Sequence, residues 1–273
     1  MIFYIKAIKL KGRQMDLTLP ASIADSYTSS SQRMRVMTER WVGSSIFCPN
    51  CGNSLHNFQN NTPVADFYCQ SCVEQYELKS KHGNIGGIIV DGAYSTMIER
   101  LTANNNPNFF FLTYDKSTFE VRNFLTIPKY FFVPDIIQIR RALSPTARRA
   151  GWIGCNIVMT SIPEFGKIFY VQNGIPKSRN EVLEHWSRTQ FVKNTNNIEA
   201  KGWLLDVLIC VEKIGKNEFS LEELYAFESY LKAKHPLNNN IKAKIRQQLQ
   251  ILRDKNVIEF VGRGKYRMKI PQV

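Results

Sequence analysis

Apolar residues recur along this chain with two different periods, and the change of period divides it into unlike parts. Within Ala21–Val42 a Ser/Thr-rich segment becomes helical: Met34, Met37 and Trp41 fall at i, i+3 and i+7 on one face, with Glu39 on another. Two short strands are expected near Val64–Tyr68 and Gln75–Ser80. In the second, alternation sends Gln75, Glu77 and Lys79 to one face and Tyr76 and Leu78 to the other. Lys81–Val90 reads as a glycine-rich loop, and Asp91–Ala103 as a helix with Tyr94, Ile98 and Leu101 aligned, stopped by Asn104-Asn105-Asn106-Pro107. Asn108–Tyr114 (NFFFLTY) is a continuous apolar run, the pattern of a strand buried on both faces. More strands are expected near Phe119–Ile127 and over Gly166–Gln172, with Ile136–Ile157 the least regular stretch between them. This order predicts an α/β domain with a mixed sheet. Gly174–Ala200 is polar and charged, and the linker is placed within it.

Beyond that stretch the pattern becomes helical. Gly202–Ile214, Ser220–Lys234 and Asn240–Lys255 read as three helices, with Ser220 and Glu223 forming a capping box at the second. In the third, Ile241, Ile245, Leu249 and Leu252 mark the buried face; Ala243, Arg246, Gln247 and Gln250 face away. A strand (Val257–Val261), a Gly-Arg-Gly turn (262–264) and a strand (Lys265–Ile270) follow. Three helices and a hairpin make a winged helix. The expected organisation is an extension over 1–19, an α/β domain over 20–195 and a winged helix over 196–273. The N-terminal run MIFYIKAIKLK is too short and too broken by lysine to span a membrane, so a cytoplasmic protein is expected.

Charge narrows the class. The 273 residues carry a net +13, a balance that suits a polyanionic partner, nucleic acid above all, although a generally basic surface would give the same sum. The stretch 238–273 alone holds nine cations against two anions. A helix with Asn239 and Asn240 at its start and Ala243, Arg246 and Gln247 on its outer face can enter a major groove, where Gln suits adenine and Arg suits guanine. Arg263 and Lys265 on the wing can reach phosphates. A protein-binding winged helix is the competing reading, and the charge opposes it.

Cys48–Lys79 carries the candidate chemistry. Cys48-x-x-Cys51 and Cys69-x-x-Cys72, seventeen residues apart, have the spacing of a structural zinc site. A redox dithiol or unliganded thiols are the other readings. Four cysteines close the coordination shell, so the zinc would hold the fold and not catalyse. Asp66 and Glu77-Leu78-Lys79 have the layout of a metal-dependent nuclease. Asp66, Glu77 and the Leu78 carbonyl are hard oxygen ligands suited to Mg²⁺, and Lys79 can position or deprotonate a water or stabilise phosphorane charge. The string itself is short, and a solvated strand face with Glu–Lys pairing would look the same. Trp152, in Arg148-Arg149-Ala150-Gly151-Trp152-Ile153-Gly154, is either a core aromatic or an indole set among phosphate-binding arginines to stack on a base. None of the four histidines is given a role.

The motifs CPNCG, PVADFYC, ELKSK, NNPNFFFLTY, PTARRAGWIGCNI and IRQQLQILRDK…IEFVGRGKYR together closely resemble the Dpn I-like methyl-directed (type IIM) restriction endonucleases, from about Ser26 to Lys269. The resemblance departs at the N-terminal extension and near Ile175–Ala200, outside the motifs. It implies a PD-(D/E)xK nuclease domain with an embedded four-cysteine zinc hairpin and a C-terminal winged helix. It also implies Mg²⁺-dependent cleavage of double-stranded DNA at 5′-GATC-3′ carrying 6-methyladenine by a protein that is monomeric in solution. By motif, Asp66, Glu77 and Lys79 become the catalytic set, Cys48, Cys51, Cys69 and Cys72 the zinc ligands, and Trp152 a contact to methylated adenine. A non-catalytic zinc and winged-helix regulator, or a repair nuclease of the same fold, are the alternatives. The acidic pair with its lysine speaks against the first, and the family resemblance against the second.

Overall fold

A computed structural model describes residues 15–58, 65–102, 106–195 and 197–269. Residues 1–14 of the expected extension, Val64 of the first expected strand, Ala103 to Asn105 at the expected helix end, and Ile270 of the last strand lie outside the described residues. Along the chain, α1 (Ser30–Ser45) precedes β1 (His56–Asn57), β2 (Phe67–Tyr68) and β3 (Gln75–His82). β4 (Ile88–Ala93) leads into α2 (Tyr94–Thr102). Then come β5 (Asn108–Tyr114), β6 (Val121–Ile127), β7 (Ile137–Ile139), β8 (Gly154–Val158), β9 (Ile168–Gln172), β10 (Ile175–Pro176) and α3 (Arg179–Lys193). The C-terminal part is α4 (Ile198–Ile214), β11 (Glu218–Ser220), α5 (Leu221–Tyr225), α6 (Glu228–Lys234), α7 (Ile241–Asp254), β12 (Ile258–Gly262) and β13 (Lys265–Met268).

The central sheet has the order β1-β2-β3-β5-β6-β9-β10 and is mixed: β3 and β5 run parallel, and the other neighbours are antiparallel. Every residue of β5 is buried. Its alternate side chains serve different layers, Phe110 and Leu112 packing with α1 and Trp186, Phe109 and Phe111 with the opposite cluster. On the α1 side, Met37 and Trp41 are buried with Tyr76, whose ring stacks on Phe110 at 4.4 Å. The opposite cluster continues without a break into the C-terminal part, through Phe191 and Val192 to Trp203, Leu208, Ile245 and Leu249. The two parts also meet by hydrogen bonds, since the Glu212 carboxylate accepts the backbone N–H groups of Glu164 and Phe165 at 2.9 Å each. Among the described residues no helix is long and apolar enough to cross a membrane.

Three expectations need correction. The expected loop over Lys81–Val90 is half strand: β3 runs on to His82, and β4 begins at Ile88 in a second sheet of order β4-β8-β7, with the loop confined to 83–87. The helix accordingly starts at Tyr94, not Asp91, and two short strands frame the stretch that looked least regular. The stretch Gly174–Ala200, within which the linker is placed, also holds α3, a 15-residue helix that ends at Lys193 and is opened by a Ser178–Glu181 capping box. Its buried positions are Val182, Trp186, Thr189, Phe191 and Val192, and the threonine interrupts the apolar stripe a sequence reader looks for. The expected helix Ser220–Lys234 is two, α5 and α6, broken at Ala226–Phe227, with the capping box present as expected. β11 adds a third strand to the wing, in the order β11-β13-β12.

Candidate active site and DNA-binding face

The four cysteine sulfurs lie within 4.8 Å of one another, with Cys48 to Cys72 and Cys51 to Cys69 each at 3.4 Å. A tetrahedral zinc–thiolate centre with Zn–S near 2.3 Å spaces its sulfurs at roughly 3.8 Å, so the cluster is the right size and can hold zinc. Each knuckle turns through a left-handed residue just after its second cysteine, Gly52 (φ 80°) and Val73 (φ 60°). The backbone closes both turns: Gly52 N–H donates to the Cys48 carbonyl at 2.7 Å and Val73 N–H to the Cys69 carbonyl at 2.9 Å. The Tyr76 hydroxyl lies 3.1 Å from Cys48 Sγ, joining the cluster to β3. Arg179, the first residue of α3, donates to the Gly52 carbonyl and lies over the Phe47 ring.

That staple positions Asp66. β2 begins at Phe67, paired with Tyr76, so the edge of β3 beyond this point loses its strand partner. Asp66 takes over the edge: its N–H donates to the Tyr76 carbonyl at 2.9 Å, and its Oδ2 accepts the Leu78 N–H at 2.7 Å. The aspartate carboxylate is thereby fixed at the backbone between Glu77 and Lys79. It also borders a cleft of about 700 Å³ with Arg33, Arg35 and Glu39 of α1 and Lys81 of β3. Glu39 of α1 accepts from Arg35 Nε at 2.6 Å.

On the other face of β3, Glu77 Oε1 and Lys79 Nζ are 2.7 Å apart. Arg100 of α2 lies at 3.9 Å from Glu77 Oε2. A residue that reading of the sequence missed completes the group: Asp91 Oδ1 is 2.5 Å from Lys79 Nζ. Assigned to the start of a helix, Asp91 had no visible relation to the site; in the structure it is a buried residue of β4, where Ile88 and Val90 are exposed. Burial and the nearby Asp91 and Asp66 charges raise the Glu77 pKa, with Lys79 opposing. Burial works to lower the pKa of Lys79, but Glu77 and Asp91 outweigh it and hold the side chain as an ammonium.

Trp152 closes the irregular stretch between β7 and β8. It is half-buried, with the Arg149 guanidinium 4.4 Å from its ring centroid, while Arg148 and Arg149 are exposed. The indole lies over Gly154, where an added Cβ would come within 2.8 Å of the ring. So it is not a core aromatic.

In the C-terminal part, Ile241, Ile245, Leu249 and Leu252 are buried as expected, and Ala243, Arg246, Gln247 and Gln250 are exposed. Asn239 and Asn240 are exposed ahead of the helix. Arg246 is steadied by the Tyr225 hydroxyl at 2.7 Å. Arg263 and Lys265 lie on the wing, Lys265 exposed, whereas Arg267 is held between Glu218 and Glu259.

Comparison with protein-family models gives two matches along the chain. Residues 15–195 match the model of the DpnI, Dam-replacing, family, and residues 199–268 match the Dam-replacing helix-turn-helix domain. The two matches span the zinc cluster, the carboxylate–lysine strand and the basic helix, and with nearly the whole chain covered, the chain belongs to the DpnI family of methyl-directed restriction endonucleases.

Proposed function

We propose that the protein is a type II restriction endonuclease that hydrolyses double-stranded DNA at 5′-GATC-3′ sites whose adenine carries a 6-methyl group. The observation that carries the catalytic half of this reading is the grouping of Asp66, Glu77 and Lys79 about one segment of β3, with Lys79 Nζ 2.7 Å from Glu77 and Asp66 on the Leu78 N–H.

The donor set of two carboxylates and a backbone carbonyl suits a hard divalent cation, and Asp66, Glu77 and the Leu78 carbonyl would hold Mg²⁺. When bound, the ion supplies charge neutralisation at the phosphate and a more acidic water. Lys79, kept as an ammonium by its neighbours, orients the attacking water and meets the negative charge that grows on the phosphorane oxygens. The zinc hairpin holds Asp66 in register with β3.

Two elements supply sequence and methyl selectivity. Trp152, flanked by Arg148 and Arg149, meets the methylated adenines beside the cleavage site, and the α7 face of Ala243, Arg246 and Gln247, with Asn239 and Asn240, reads the duplex from the major groove. Arg263 and Lys265 fix the register through phosphates. A methyl group adds only about 0.8 kcal/mol of apolar burial, so strong discrimination calls for more than one methyl or more than one reader.

The direct test incubates the full chain and Mg²⁺ with plasmid prepared from an adenine-methylating host and from a host lacking that methylation. Cutting of the methylated plasmid alone, at GATC, is expected. Binding without cutting by the wild type would make the protein a regulator, and cutting of both plasmids would make it a nuclease of another kind.

A further inference from the structure

The strand face of Glu77 and Lys79 does not account for Asp91. This carboxylate comes from β4 in the second sheet, and its side chain is only 4% exposed. β4 is fixed independently of β3, by pairing with β8 in which Asp91 stands opposite Cys155. Lys79 already has a carboxylate partner in Glu77, on its own strand and at 2.7 Å. A second buried carboxylate adds a desolvation cost that the fold does not need.

The chemistry at Glu77 supplies a reason. Glu77 cannot give an oxygen to a divalent cation and keep the Lys79 ammonium on the same carboxylate without bringing two positive charges together. Repulsion would then drive the lysine out of the site when the metal enters. Asp91 Oδ1 lies 2.5 Å from Lys79 Nζ and reaches it from a different sheet, so this contact survives the loss of the Glu77 contact. We propose that Asp91 is the positioning residue of Lys79, retaining the ammonium beside the scissile phosphate once Glu77 is committed to the metal. The inference rests on the nuclease reading above.

The test uses the full zinc-loaded chain and its Asp91→Asn variant, which keeps the shape and removes the charge. The first measurement follows the Lys79 ammonium by NMR in ¹⁵N-lysine-labelled protein as Ca²⁺, a cleavage-inert substitute, is added. In the wild type the Lys79 signal shifts on Ca²⁺ binding and stays protected from exchange. In Asp91→Asn it is expected to be protected without Ca²⁺ and lost to exchange with it. The second measurement is single-turnover cleavage of a methylated duplex. The variant should be slower by up to about 100-fold, with duplex affinity in Ca²⁺ and the Mg²⁺ concentration for half-maximal rate both within about twofold of wild type. A protected Lys79 signal in Ca²⁺-loaded Asp91→Asn would overturn the proposal. So would a variant whose full rate returns at high Mg²⁺, since Asp91 would then be a metal ligand. Failure of the nuclease reading has a different signature: wild type that cuts no duplex and a Lys79 signal that Ca²⁺ leaves unmoved.

Discussion

At the scale of single residues, the candidate site depends on two contacts that substitutions can separate from the fold. Asp66 closes the free edge of β3 through the Leu78 N–H at 2.7 Å. Asp66→Ala should therefore abolish cleavage and cost about 1.5–3 kcal/mol of stability, the range for a hydrogen bond to a charged group, while zinc content stays at one per chain. Cleavage assay, denaturant titration and metal analysis on the same preparation check this, and an active variant would remove Asp66 from the catalytic set. Gly154 offers a second handle, because any Cβ there would press on the Trp152 ring at 2.8 Å. Gly154→Ala should displace the indole and reduce the preference for methylated over unmethylated duplex, leaving Mg²⁺ dependence unchanged. The duplex preference measured by competition decides it. Asp66, Glu77 and Lys79 were legible in the sequence because two of them share a strand period and the third sits beside a knuckle. Asp91 was not, because its relation to Lys79 is a contact between sheets that no local pattern encodes.

At the scale of elements, the zinc hairpin is the part whose removal should be felt furthest. Metal binding and folding are the same free energy in such a knuckle pair, and Asp66 is three residues ahead of Cys69. Cys69→Ser should lose zinc, lower the melting temperature and lose cleavage together; retained activity without zinc would show that β2 and β3 hold their register unaided. The second knuckle also carries a cost the first does not. Val73 is 79% exposed and sits at φ 60°, where a β-branched residue is strained, while Gly52 occupies the matching place in the first knuckle. Val73→Asn should raise stability by about 1 kcal/mol, since asparagine tolerates that conformation and little packing is lost; denaturant unfolding of the zinc-loaded protein measures it. Legibility follows the same physics. β5 could be read directly, because burial on both faces leaves an unbroken apolar run. α3 could not, because Thr189 fills one of its buried positions through a 2.6 Å hydrogen bond with the Tyr130 hydroxyl, a tertiary contact in the place an apolar residue would take elsewhere.

At the scale of the whole molecule, what matters is how the nuclease part and the winged helix are joined. The core runs continuously from β5 through α3 into α4, and Glu212 of α4 seals the joint by accepting the N–H groups of Glu164 and Phe165. The two parts therefore meet across a packed interface, and the basic face of α7 is carried on a body anchored to the site. This joint should be sensitive to pH. Burial raises the Glu212 pKa from 4.5 to about 6, although the two N–H donors and Lys167 favour its charged form. The folded state thus binds this proton more tightly than the unfolded state does. Its contribution is fully present below pH 4.5 and is lost as pH rises through 6. A shift of this size corresponds to about 2 kcal/mol. Glu212→Gln cannot titrate, so between pH 4.5 and about 7 its stability should gain on the wild type by roughly that amount, whatever constant penalty follows from replacing one acceptor oxygen. Denaturant unfolding of both proteins across this range, with zinc held saturating, isolates the effect because every other titrating group is common to the pair. A stability difference that does not change with pH would mean that Glu212 meets the same environment folded and unfolded, and that the joint opens freely in solution.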